Sequence, residues 1–136
     1  MSEKTMIYCV CLNTTIDVFL EISHFTAGGT FKIEAQEEFP VGKGVSVALG
    51  LKTLDTQVEV LCCVGEDDVA LYENTLKLQE IPHKILPMVG KTRQNLTIYD
   101  PAVNRTTHIR FPGFKATNTK FDPIFKYLRE KVQPGD

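Results

Sequence analysis

The chain has 136 residues, 43% of them apolar and 24% charged, with a formal net charge of −2. That is enough for one modest domain with its own core. The near-neutral balance gives no general pull toward nucleic acid or an anionic membrane, and the longest apolar runs are far too short to cross a bilayer.

The opening MSEKTM carries no signal-peptide pattern and runs straight into a strand-like segment. Met6 to Leu12 is a near-continuous apolar run, as expected of a strand buried on both faces. Asn13-Thr14-Thr15 interrupts it with turn-prone residues, and Ile16 to Ile22 reads as a second strand. Asp17 therefore falls near the carboxyl end of the first strand, where open α/β sheets place their ligands; a solvated turn carboxylate is the simpler alternative. After the Ala27-Gly28-Gly29 turn, Thr30 to Phe39 alternates Phe31, Ile33 and Ala35 against Lys32, Glu34 and Gln36, which predicts a half-exposed strand.

The segment Phe39 to Leu54 organises the rest. Gly42 and Gly44 flank Lys43, and Val45, Val47, Ala48, Leu49, Leu51 and Leu54 follow at helical spacing. A glycine turn that opens a helix leaves the first backbone N–H groups without internal partners. Together with the positive end of the helix dipole, they favour an anion. The pattern is neither a Walker loop nor a dinucleotide fingerprint. Taken alone it fits a phosphate or hydroxyl-rich ligand about as well as a tight turn capping a core helix.

Thr56 to Val64 predicts a buried strand, Gly65 to Asp68 an acidic helix start, and Val69, Leu71, Leu76 and Leu78 the helix itself, ended by Ile81-Pro82. His83 to Met88 reads as a short strand. Arg93 to Tyr99 and Thr106 to Phe111 read as a hairpin across Asp100 to Arg105. A last helix is expected from about Lys120 to Val132, with Phe121, Ile124, Phe125 and Leu128 on its apolar face. Alternation of this kind argues for a three-layer α/β sandwich. The four cysteines, Cys9, Cys11, Cys62 and Cys63, sit in strand-like runs without zinc-pair spacing and read as buried reduced thiols of a cytoplasmic protein.

Several segments together resemble the amino-terminal half of a ribokinase-like (PfkB) carbohydrate kinase, in its phosphofructokinase and tagatose-phosphate kinase branch. LNTTID (Leu12 to Asp17) resembles L-N-P-A-[LI]-D, and VGKGVSVA (Val41 to Ala48) resembles G-G-K-G-I-N-V-A. Gly65-Glu66-Asp67 resembles the strand-end G-x-D turn, KTRQNLTIYD (Lys91 to Asp100) the T-R-x-N segment, and RFPGFKATNTKFDPI the P-G stretch before a helix. The five motifs occur in order across nearly the whole chain. Three departures stand out: Thr14 replaces Pro, Val41 stands where Gly or Ala is preferred, and Ser46 replaces a common Asn.

The resemblance implies a three-layer ribokinase-like α/β fold with a small β lid, of which residues 1–136 form the amino-terminal, substrate-binding half; the lid strands lie at about 16–38 and 92–111. It implies transfer of the γ-phosphate of ATP, with Mg2+, to a sugar or sugar phosphate such as fructose 6-phosphate, fructose 1-phosphate or tagatose 6-phosphate. In that reading Asp17 accepts hydrogen bonds from sugar hydroxyls, and Gly42 and Gly44 let backbone approach the sugar. Lys43 and Arg93 hold the substrate's phosphate. Asn95 bonds a sugar hydroxyl or the phosphate, and the Ser46 hydroxyl stands in part for the missing amide. The lid strands imply a homodimer contact. The family's G-A-G-D segment with its aspartate base does not occur in these residues, so the 136-residue chain alone is expected to be inactive, with no catalytic residue of its own and the ATP and Mg2+ sites mostly elsewhere. A non-catalytic carbohydrate-binding or interaction domain built on the same fold is the competing reading. His24, His83 and His108 have no persuasive nucleophile partner, and no metal-ligand spacing appears.

Overall fold

The structure is a computed structural model and describes residues 5–115 and 120–136. Met1 to Lys4, and Ala116 to Thr119 within the P-G stretch, lie outside the described residues.

Two sheets organise the chain. The first is parallel and built from β1 (Ile7–Cys11), β4 (Val58–Gly65) and β5 (His83–Met88), in the order β1-β4-β5. β4 is central and buried from Val60 to Gly65, which is why its sequence is nearly all apolar. Its side chains alternate between two cores. Val58, Val60, Cys62 and Val64 join Cys9 and Cys11 of β1 against Val45 and Ala48 of α1 (Lys43–Lys52) and Tyr72 and Leu76 of α2 (Val69–Leu78). Leu61 and Cys63 face the other way, with Met88 and with Ile124 of α3 (Asp122–Lys131). Helices thus cover both faces of the parallel sheet, as the three-layer expectation required.

The second sheet has the order β3-β2-β6-β7 and contains β2 (Thr15–Glu21), β3 (Ala35–Val41), β6 (Arg93–Asp100) and β7 (Arg105–Arg110). β2 runs parallel to β6 and antiparallel to β3, and β6 and β7 form the expected hairpin. Ile16 and Val18 of β2 join the first core, so the sheets share one apolar body.

The structure corrects the boundary of the third strand. Thr30 to Glu34 are not part of it; β3 begins at Ala35 and continues through Pro40 to Val41. The alternation at Phe31 and Ile33 has no strand to pair with, because β2 ends at Glu21, which faces Ala35. Phe31 instead turns back onto Phe25, ring centroids 5.3 Å apart. Pro40 is tolerated because β3 is an edge strand. The helix faces are also narrower than their apolar content predicted. Val47, Leu71 and Phe125 are exposed, and Leu54 and Leu78 are 73% and 83% exposed at or beyond helix ends. In α1 the apolar residues Val45, Val47, Ala48, Leu49 and Leu51 spread around the helix, so composition could not mark Val45 and Ala48 as the buried pair.

Candidate functional site

Three chain crossings join the two sheets, all at the carboxyl ends of β1, β4 and β5. The first is Leu12 to Thr14, between β1 and β2. Thr14 is fully buried and its hydroxyl donates to the Cys63 carbonyl at 2.5 Å. A proline there, as in the family pattern, could not donate; the threonine fastens this crossing to β4. The second crossing is Val89 to Thr92, between β5 and β6. Here the Gly65 N–H donates to Thr92 Oγ1 at 2.9 Å, and the Thr92 N–H donates to Asp68 at 2.7 Å. A side chain at Gly65 would run into the backbone of Lys91 and Thr92.

The third crossing is Gly42, between β3 and α1. Its φ is +150°, and a Cβ there would sit 2.6 Å from Cys11 Sγ and 3.3 Å from Thr14 Cα. Gly44 is as tight, with a Cβ 2.9 Å from the Val10 carbonyl oxygen. Both glycines are needed to seat α1 against β1. Beneath them the Tyr72 hydroxyl reaches the carbonyls of Thr15 (2.6 Å) and Val41 (2.8 Å), which are paired residues of β2 and β3. Burial pushes this phenol well above its ordinary pKa, so it stays a hydrogen-bond donor.

Between the sheets lies a cavity of about 800 Å³, and all seven residues singled out from the sequence line it: Asp17, Gly42, Lys43, Gly44, Ser46, Arg93 and Asn95. The first turn of α1 has no side-chain cap and no acidic residue. Its leading N–H groups are left for solvent or an anion. Asp17 and Asn95 face each other across β2 and β6, and the Asn95 amide donates to Asp17 Oδ1 at 3.1 Å. Arg93 Nε and Asn95 Oδ1 are buried without a hydrogen-bond partner.

The hairpin contributes cavity residues that the sequence reading did not single out. Thr97, His108 and Arg110 also line the space. Thr97 Oγ1 and His108 Nδ1 lie 3.1 Å apart on directly opposed positions of β6 and β7, and Arg110 is opposite Asn95. The signal was available: once Asn95 faces the site, period-two alternation along the hairpin carries Thr97, His108 and Arg110 to the same face. The charged lining is then Lys43, Arg93 and Arg110 against Asp17 alone, with His108 beside them. An open cavity with that excess of cations attracts an anionic ligand, while Asp17 supplies an acceptor for hydroxyl donors.

No protein-family model matches the chain. It is 29% identical over 126 residues to the 1-phosphofructokinase of Rhodobacter capsulatus, an alignment that covers 93% of this chain and 40% of that protein. In sequence the chain is similar to 1-phosphofructokinases over about 40% of their length, and its fold is ribokinase-like. Its fold matches Escherichia coli phosphofructokinase-2, solved in complex with fructose-6-phosphate, with a TM-score of 0.85 at 19% identity over 96% of this chain and 43% of that one. It also matches the Methanocaldococcus jannaschii nucleoside kinase, an archaeal member of the ribokinase family, with a TM-score of 0.65 at 23% identity over 80% of this chain and 37% of that one. The chain spans about 40% of the length of the curated relatives it matches. No described helix is long and apolar enough to cross a membrane.

Proposed function

We propose that this chain supplies the sugar-binding half of an ATP-dependent kinase that phosphorylates a sugar phosphate, such as fructose 6-phosphate, fructose 1-phosphate or tagatose 6-phosphate. The observation that carries the reading is the cation-rich cavity at the open start of α1, which Asp17 of β2 also lines. Asp17 accepts from the sugar hydroxyls. Lys43, Arg93 and the α1 N–H groups take the phosphate, Arg93 through the planar fork suited to it. Ser46, exposed on α1 at the cavity wall, offers a hydroxyl to the same ligand. The four-stranded sheet acts as the lid over the sugar, and a second copy of the chain packs against it.

ATP and Mg2+ supply and activate the transferred phosphoryl group in this reading. Among the described residues no group of three or more His, Cys, Asp or Glu side chains is arranged to hold a metal ion. The chain's own contribution is to bind and orient the acceptor sugar, and on its own it is expected to show no turnover.

The test is a calorimetric titration of the protein with fructose 6-phosphate, fructose 1-phosphate and fructose. Saturable binding that favours a phosphorylated sugar supports the reading; no binding of any of them rejects it. Replacing Arg93 with Ala should weaken the phosphorylated sugars far more than fructose, and equal losses would reject its phosphate role. Turnover by the 136-residue chain with ATP would show that the transfer site is present after all.

A further inference from the structure

Arg93 is the first residue of β6, and the crossing that delivers it from β5 is fastened on both sides. Thr92, just before it, is 3% exposed. Its hydroxyl accepts the Gly65 N–H at 2.9 Å, and its own N–H donates to Asp68 Oδ2 at 2.7 Å. Two residues upstream of Thr92, the Gly90 N–H donates to Glu66 Oε1 at 3.4 Å. On the far side, Thr15 Oγ1 donates to the Arg93 carbonyl at 3.4 Å. The arginine side chain is braced differently. Among the described residues its Nε is buried and finds no hydrogen-bond partner, while the residue lines the cavity. With no bond at Nε to steer it, the guanidinium takes its aim from the backbone that carries it.

We infer that Asp68, acting through Thr92, is a positioning residue for Arg93. Asp68 stands immediately before α2, where an aspartate commonly turns its carboxylate onto the leading N–H groups of its own helix. Here it makes no such bond. The carboxylate reaches instead across 24 positions to the Thr92 N–H, so a local capping bond is given up for one that holds the crossing. An arginine with several rotatable bonds grips a ligand well only when its freedom is already restricted, and that restriction comes from the residues behind it. Asp68 touches no cavity atom; it sets where β6 begins, and thereby where the Arg93 guanidinium points.

The inference rests on the sugar-phosphate reading above, and its test separates the two. Wild type, Asp68→Ala and Asp68→Asn are titrated calorimetrically with fructose 6-phosphate, inorganic phosphate and fructose, after thermal melts have established that each is folded. Asp68→Ala should weaken fructose 6-phosphate and inorganic phosphate by about tenfold, the worth of a hydrogen bond to a charged group, and leave fructose unchanged. Asp68→Asn keeps an oxygen that accepts from Thr92 and should restore the phosphate affinity. Equal losses for fructose and fructose 6-phosphate would mark a general loss of the site's shape and overturn the inference. So would unchanged affinity, or tighter phosphate binding in both variants, the sign expected of a carboxylate that acts only through its charge. Should Asp68→Ala fail to fold, Thr92→Val and Thr92→Ser take the places of the two variants, since valine removes the acceptor for Gly65 and serine retains it. A ligand-free measurement stands beside these: solvent exchange of the Arg93 Nε–H, followed by NMR, should be slow in wild type and faster in Asp68→Ala, or in Thr92→Val where that variant takes its place. If wild type binds neither sugar nor phosphate, the sugar-phosphate reading fails and this exchange alone decides the positioning role; unaltered exchange overturns it.

Discussion

Replacing Tyr72 with Phe tests whether the site's floor is held as described. The ring is fully buried under the first sheet's core, and phenylalanine keeps its volume, so packing is nearly unchanged. What is lost is one hydroxyl that reaches two carbonyls, those of Thr15 at 2.6 Å and Val41 at 2.8 Å. Removing a buried partner and leaving its acceptors short costs about 1–3 kcal/mol. For a chain of this size each kcal/mol lowers the melting temperature by roughly 4 °C, so a 2 kcal/mol loss should lower it by about 8 °C. The two carbonyls belong to paired residues beside Gly42, so affinity for fructose 6-phosphate should fall in the same variant. Thermal denaturation followed by circular dichroism, with calorimetric binding on the folded protein, checks both. A melting temperature within about 1 °C of wild type, or unaltered affinity beside a large loss of stability, would refute the coupling of α2 to the Gly42 corner.

Other outcomes follow from the same contacts. Gly42→Ala should destabilise by about 1–3 kcal/mol from its φ of +150° and weaken ligand binding, because its Cβ meets Cys11 and Thr14; a variant as stable as wild type in urea titration would contradict that geometry. Burial works against ionisation of Asp100, but the N–H groups of His24, Phe25 and Ala102, with Arg105, outweigh it and hold the carboxyl below its ordinary 3.8. Its folded-state pKa is depressed, so its stabilisation is fully present above the unfolded value and fades as pH falls through the folded one. The gap in melting temperature between wild type and Asp100→Asn should therefore be steady above about pH 5 and narrow below pH 3.8; a gap that persists unchanged to about pH 2 would refute it. Burial also pushes the Cys62 and Cys63 thiols up, to about 12 and about 11, so iodoacetamide at about pH 8 should label neither until the protein unfolds; rapid labelling mapped to either residue by mass spectrometry would contradict their burial.

Much of the fold was legible because its strands state their surroundings plainly. β4 reads as a continuous apolar run because helices cover both of its faces, and the hairpin of β6 and β7 reads from its turn. The errors arose where a local pattern lacked the tertiary partner that gives it meaning. Phe31 and Ile33 alternate like a strand, but Glu21 is the last residue of β2 and nothing remains for them to pair with. Leu78 keeps helical spacing in α2 yet is 83% exposed, since spacing assigns a face and not what lies against it.

The site was legible at its glycines and charges and illegible where residues meet across strands. Gly42, Lys43 and Gly44 announce themselves within three positions, and the constraint is local: φ at Gly42 and the close approach to β1 at Gly44. The Asp17–Asn95 contact spans 78 positions and depends on the parallel register of β2 with β6, which no short-range pattern encodes. His108 and Arg110 depend on that register and on the hairpin's as well. A histidine or arginine in a half-exposed strand has the same sequence signature whether it faces solvent or a cavity. Only the register decides, and a slip of one residue in β7 would turn both away from Asn95 and Thr97. The cationic side of the cavity is therefore a property of strand pairing, and the turn at Asp100 to Arg105, tied down by the Asp100 carboxylate, is what sets it.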